Sequence, residues 1–251
     1  MTLHPHLNRY LEFKTIDSTN LEAQRRRHEF AGENVLLVSD EQTAGKGQHG
    51  RQWESSAGLG VWATLFIGQP DYLRQDLQLL SLYTGLIVKQ TIQALTGIDT
   101  RLKWPNDIMI NSQKCGGILT ELQWKGNSTS SAIIGMGINL SHQKNDFPED
   151  IQGTSTSLLM EGWKEPDRDQ FMNRLIYEFF EQFELLIHPE HLIGLWNDAA
   201  WKYNEIVHWQ SNDKDFEGLF MGVTKKGEAQ ILRGDKTYKF HSGEIRWGRS
   251  S

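Results

Sequence analysis

The chain has 251 residues and a mass of 28.9 kDa, room for one large domain or for a medium domain with a small one. A hydrophobic share of 38% and a charged share of 23% exclude a disordered chain, and 26 basic against 32 acidic residues leave a net charge of −6, which disfavours a wide face for gripping nucleic acid. The single cysteine, Cys115, excludes an internal disulfide and a multi-thiolate metal site and fits a reducing compartment. No apolar run reaches the length of a membrane span, and Met1 to Tyr10 lacks the apolar core of a secretory signal, so a cytoplasmic protein is expected.

In chain order, Tyr10 to Thr15 reads as a short strand. A helix start follows, with Thr19 and Glu22 at capping-box spacing behind Asp17 and Ser18. Arg25, Arg26 and Arg27 read as its solvated cationic end. Val35 to Ser39 is a buried strand, Thr43 to Gly60 a glycine-rich polar loop, and Val61 to Ile67 a further strand. Leu77, Leu80, Thr84 and Ile87 share one face of a long helix ending near Gly97. Arg101 to Trp104, Asp107 to Ile110, Gly117 to Trp124 and Ala132 to Leu140 form an antiparallel meander joined by polar turns. The last of these is also a candidate edge strand for pairing with a second copy in a homodimer. A helix from about Asp167 to Ile187 places Phe171, Leu175, Phe179 and Phe183 on one side, with a capping box at Asp167 and Gln170, and His188-Pro189 ends it. From about Tyr203 the segments turn short and β-rich, the mark of a small barrel-like unit, giving domains 1–203 and 204–251.

Three stretches carry possible chemistry. Gly45-Lys46-Gly47-Gln48-His49-Gly50-Arg51 satisfies G-x-G-x-x-G and nearly the P-loop pattern. No helix follows it as a dinucleotide site requires, Arg51-Gln52 replaces the P-loop Lys-Ser/Thr, and no kinase H-R-D or D-F-G is present. What remains is bare backbone beside Lys46 and Arg51: either an anion site or a solvated surface turn. Lys103-Trp104-Pro105-Asn106-Asp107, with Lys114-Cys115-Gly116-Gly117 after it, reads either as turn chemistry or as the charged lining of a cleft over a sheet. The paired glycines of Gly135-Met136-Gly137-Ile138-Asn139 signal close approach of a ligand or backbone, or tight packing.

Together these blocks resemble the biotin protein ligases. Asp17-Ser18-Thr19-Asn20, Glu41 to Trp53, Lys103 to Asp107, Lys114 to Glu121 and Gly135 to Asn139 stand in that family's order and spacing, and Gly243-Glu244-Ile245 is similar to the end of its small barrel. The likeness runs through nearly the whole chain from Tyr10 onward. It implies an α+β fold: a mixed, largely antiparallel sheet with helices on one face, like the catalytic core of class II aminoacyl-tRNA synthetases, then a small C-terminal β-barrel. It also implies an ATP-dependent ligase acting in two steps. Biotin's carboxylate attacks the α-phosphate of ATP to give biotinyl-5′-adenylate, and a lysine of a biotin carboxyl carrier domain then takes the biotin.

The resemblance assigns residues as well. Lys114, Asp107 and Arg51 are implied at the chemistry, with Lys114 where carboxylate meets α-phosphate. Ser18, Thr19, Asn20, Gln42, Gly45, Lys46, Gly47, Gln48, Trp53, Lys114, Gly116 and Gly117 are implied around biotin. Lys46, Arg51, Trp53, Lys103, Asn106 and Asn139 are implied at the adenylate, with Mg²⁺ neutralising phosphates through ligands the sequence does not identify. The bland readings stand beside these: helix caps for Ser18 and Thr19, a strand-end bond for Asn139, plain core for Trp62. Gln48 stands where many bacterial members carry Arg, and Lys46 keeps a charge without the planar fork. Only Met1 to Arg9 precede the first strand, so no DNA-binding role is expected. Gly45 to Gly60 is a candidate lid sheltering the acyl adenylate from water. The rivals are a lipoate ligase with the same adenylation logic, a non-catalytic nucleotide or vitamin binder, and a metalloenzyme, for which the nine histidines form no ligand pattern.

Overall fold

Alternating side chains on two central strands build a sheet that is buried on both faces. The computed structural model describes residues 4–69, 72, 79–125, 128–211, 214–241 and 244–246. Strands β1 (Arg9–Ile16), β2 (Asn34–Gln42), β3 (Gly60–Ile67), β4 (Arg101–Lys103), β5 (Asp107–Ile110), β6 (Gln113–Lys125) and β7 (Ser128–Asn139) form one sheet in the order β1-β2-β3-β7-β6-β5-β4. The β1–β2 ladder is parallel and the remaining ladders are antiparallel, the mixed sheet expected. The expected meander is β4 to β7. One expectation is overturned: β7 is no edge, because β3 occupies one side of it and β6 the other. Its apolar residues on both faces, Ile133 and Ile134, suit that central place.

Helix α1 (Thr19–Arg25) follows β1, and α2 (Leu80–Thr96) follows β3. Gly97 ends α2 at φ 72°, a left-handed conformation that favours a residue without Cβ. Leu77, assigned to this helix from sequence, lies outside the described residues. Helix α3 (Arg168–Glu181) is capped as its spacing predicts: Asp167 accepts from the Gln170 N–H at 2.9 Å. It stops at Glu181, and Phe183–Ile187 continues as a tighter 3₁₀ turn. Pro189 then opens α4 (Pro189–Asp198), a helix the sequence reading does not contain; Pro at the first turn loses no hydrogen bond there.

Period-two alternation divides the sheet into two unlike faces. Leu36, Val38, Leu65 and Ile134 point into one core with Leu86 of α2 and Phe171 and Phe179 of α3. Val35, Leu37, Phe66 and Ile133 point the other way, onto Ala23 of α1 and onto Phe30. The long helices therefore share a face as expected, and short α1 sits on the opposite one. Its start differs from the expected capping box. The N-cap is Ser18, whose side chain makes no cap bond, and the Thr19 N–H instead donates to Gln42 Oε1 at 2.8 Å.

Strands β8 (Ile206–Ser211), β9 (Lys214–Val223), β10 (Ala229–Arg233), β11 (Lys236–Phe240) and β12 (Glu244–Arg246) form the small antiparallel sheet, ordered β11-β10-β9-β8-β12. Its Val207, Phe220 and Ile231 join the core of the large sheet. Trp104, between β4 and β5, donates its indole N–H to the Gly227 carbonyl at 2.9 Å. The small sheet thus fixes the turn that carries Asn106 and Asp107. Gly243 and Trp247, at the end of the expected barrel, lie outside the described residues. Among the described residues, no helix is long and apolar enough to cross a membrane.

Candidate active site

A bulge in β6 sets the charge pattern of the site. Ile108 pairs with Gly116, but Met109 pairs with Lys114, so Cys115 is an extra residue. In a strand that kept strict alternation without the bulge, Lys114 and Gly116 would share a face. With it, Lys114 and Gly117 face the α1 side, while a Cβ on Gly116 would meet Ile138 Cδ1 at 2.7 Å in the core. The backbone of Lys114 is held by Thr154 and Thr156, at 2.8 and 2.9 Å. Lys114 Nζ lies 2.5 Å from Asp107 Oδ1, Lys103 Nζ lies 3.9 Å from Asp107 Oδ2, and the ammonium of Lys114 stands 5.1 Å from the centre of the Trp53 ring. Cys115 is buried, and desolvation pushes its thiol well above the ordinary range, so it is no nucleophile.

The same face is stripped of side chains where the bulky groups of α1 and the loop lie down. A Cβ on Gly137 would meet the Trp53 indole at 2.6 Å, and one on Gly135 would collide with the Asn20 amide. The two glycines of β7 are thus seats for Trp53 and Asn20. The glycine loop folds back on itself: Gln42 N–H donates to Ser55 O at 3.0 Å, Trp53 N–H to Gly45 O at 2.9 Å, and Gly47 N–H to Arg51 O at 2.8 Å. At its tip His49 has φ 56°, a strained conformation for a residue with a Cβ.

These parts enclose a cavity of about 710 Å³. Ser18, Thr19, Asn20 and Gln42 line one end; Lys46, Gly47, Gln48, Arg51 and Trp53 come from the loop; Lys103, Asn106, Asp107, Lys114, Gly117 and Asn139 come from the strands. Gly45 and Gly116 are not among its lining residues: Gly45 packs against Trp53 O and Ser55, and Gly116 against the core. Four cations (Lys46, Arg51, Lys103, Lys114) meet two carboxylates (Glu54, Asp107) in this lining, an excess of positive charge in an acidic chain. Two polar residues also do structural work. Asn106 Nδ2 donates to Ile118 O at 2.7 Å, and Asn139 Nδ2 to Thr156 O at 3.0 Å. Trp62 is core, 1% exposed. The Trp53 indole N–H is buried with no hydrogen-bond partner among the described residues.

Sequence reasoning missed the far wall, formed by His142, Phe147, Ile151 and Thr154. His142 stacks on Phe147 at 4.6 Å, and burial lowers its imidazole to about 4. This irregular segment has neither helical nor strand period, so no pattern marks it. A smaller cavity of about 430 Å³ adjoins the loop tip, with Pro105, Glu121 and His241 in its lining.

The model of the biotin/lipoate A/B protein ligase family matches residues 12–139, which span β1 to β7 and every strand of this cavity. The chain belongs to that family. Among its curated relatives, the bifunctional ligase/repressor BirA of Bacillus subtilis is 34% identical over 231 residues, 90% of this chain and 71% of that protein. The biotin–[acetyl-CoA-carboxylase] ligase of Mycobacterium tuberculosis is 33% identical over 149 residues, 58% of this chain and 53% of that one. Among solved structures, the Aquifex aeolicus biotin protein ligase in complex with biotin and ATP superposes with a TM-score of 0.81 and 28% identity, covering 97% of this chain and 100% of that one. The family thus joins biotin and lipoate ligases, and these relatives bear biotin names.

Proposed function

We infer that this ligase activates biotin with ATP to biotinyl-5′-adenylate and transfers biotin to a lysine of a biotin carboxyl carrier domain. The observation that carries the reading is the Lys114–Asp107 pair on the floor of a net-cationic cavity whose other end is lined by neutral polar groups. In the first step an oxygen of the biotin carboxylate attacks the α-phosphorus of ATP, and the bond to pyrophosphate breaks. Lys114 stabilises the negative charge that accumulates between the two reactants, and Arg51, Lys46 and Lys103 hold the phosphates. In the second step the carrier lysine's amine attacks the acyl carbon and AMP departs. Asp107, beside that centre, receives the amine's proton.

Biotin's ureido group needs both donors and acceptors, and Ser18, Thr19, Asn20 and Gln42 supply them, with Gly47, Gln48 and Gly117 alongside. Trp53, Asn106 and Asn139 face the adenylate. Gly45 serves by shaping the loop, and Gly116 by admitting Ile138. Among the described residues no group of three His, Cys, Asp or Glu side chains forms a cation cage. Mg²⁺ at such sites needs only one or two carboxylates beside substrate phosphates, so we assign the ion to the triphosphate, with Asp107 the carboxylate of the lining that would reach it. The loop tip is the part that closes: cleavage of 45–60 by a protease should fall with biotin and ATP together, and unchanged cleavage removes the lid. We divide the chain at 203/204, although the two sheets share one core.

Labelled biotin and labelled lipoate, each offered with ATP to carrier domains, test the assignment. Transfer of biotin, with biotin-dependent exchange of pyrophosphate into ATP, is expected. Transfer of lipoate instead selects the sister activity, and tight binding without exchange selects a binding protein.

A further inference from the structure

Thr64, at the centre of β3, is fully buried, reads in the sequence as one more β-branched strand residue, and does not line the cavity. Its hydroxyl lies 2.6 Å from Asn20 Oδ1 and 2.8 Å from Thr19 Oγ1. A chain of hydrogen bonds fixes which way the protons point. Ser55 donates to Trp53 O at 3.1 Å, so Ser55 Oγ accepts from Gln42 Nε2 at 2.9 Å. That turns Gln42 Oε1 toward α1, where it accepts from the Thr19 N–H at 2.8 Å and the Thr19 hydroxyl at 3.1 Å. Thr19 has then spent its proton, and Asn20 Oδ1 never had one. Thr64 therefore gives its one proton to Asn20 Oδ1, the shorter of its two contacts.

The orientation of Asn20 follows. Its carbonyl faces Thr64, its Nδ2 lies 3.4 Å from Glu121 Oε2, and its amide rests in the seat of Gly135, the residue paired with Thr64 across the β3–β7 ladder. The amide nitrogens of Asn20 and Gln42 each keep one N–H for a ligand, and both residues line the cavity. From this geometry we propose that Thr64 is a positioning residue for ureido recognition: its single proton sets the amide of Asn20, and through it the affinity for biotin. This rests on the biotin reading above. Valine at this position keeps the shape and removes the donor. Asn20 Oδ1 then loses its donor, and the Asn20 amide is free to flip.

The test compares the native protein with Thr64→Val, Thr64→Ser, Asn20→Ala and the Thr64→Val/Asn20→Ala pair. It uses biotin titration calorimetry and biotin-dependent pyrophosphate exchange. Thr64→Val should raise the Kd and KM for biotin about 10-fold, the equivalent of one hydrogen bond, with kcat at saturating biotin and the KM for ATP within about two-fold. Thr64→Ser should restore native values. In the Asn20→Ala background Thr64→Val should add no more than about two-fold, because its effect runs through that amide. If Thr64→Val does not fold, Thr64→Ala carries the same comparison. A native biotin KM in Thr64→Val, an equal loss in Thr64→Ser, or a full further loss on top of Asn20→Ala overturns the positioning role while the ligase assignment stands. A native protein that binds no biotin overturns both.

Discussion

The two faces of the large sheet use the same strands for opposite ends. Toward α2 and α3, β2, β3 and β7 present Leu36, Val38, Leu65 and Ile134, and the face is filled. Toward α1 and the glycine loop, β7 presents Gly135 and Gly137, β6 presents Gly117, and β3 presents Thr64; the face is bared, and side chains from elsewhere lie across it. Stability is concentrated on the first face and recognition on the second. The bulge at Cys115 breaks the alternation, so Lys114 shares the second face with Gly117 while Gly116 faces the first.

Four substitutions break or sharpen this division. Phe179→Ala, on the filled face, should cost about 3–5 kcal/mol of stability in a denaturant titration, with biotin affinity of the folded fraction unchanged. A weakened affinity would show that the faces are coupled. Lys114→Ala, on the bared face, should do the reverse: exchange should fall by about 10²–10³-fold with little change in the melting curve. Third, His142 is held neutral, its imidazole lowered to about 4 by burial. Above pH 6.5 it is uncharged folded or unfolded and costs nothing. As the pH falls from there toward 4 the unfolded chain takes up a proton that the native one refuses, so stability is lost across that window. His142→Phe should remove about 3 kcal/mol of that loss, read as the difference between the two proteins' stability–pH curves. Equal slopes would mean that the ring is already solvated. The smallest effect is expected from Gly137→Ala. Its methyl group displaces Trp53, costing about 1–3 kcal/mol in ligand affinity rather than in folding.

Much of this was legible in the residues. The capping pair Asp167/Gln170 and the aromatic run after it specify α3, because both signals are local. The five blocks bring fifteen of the implied residues into one cavity, since each block is a short segment whose chemistry is carried by its own side chains. What stayed hidden depends on pairing between distant segments. No local signal reports that Cys115 is bulged and Gly116 therefore faces Ile138, that Gln42 caps α1 across 23 positions of sequence, or that β7 lies inside the sheet. Pro189 shows the remaining ambiguity: the residue that ends one helical run starts the next.

Both reactants are expected to meet on the bared face. A crystal structure of the protein with biotin and a non-hydrolysable ATP analogue tests this most directly. The ureido ring is expected against Ser18, Thr19, Asn20 and Gln42, and the biotin carboxylate and α-phosphate together beside Lys114, with Trp53 closing over them. Biotin or nucleotide bound outside this cavity, or the two held apart with Lys114 touching neither, would contradict it.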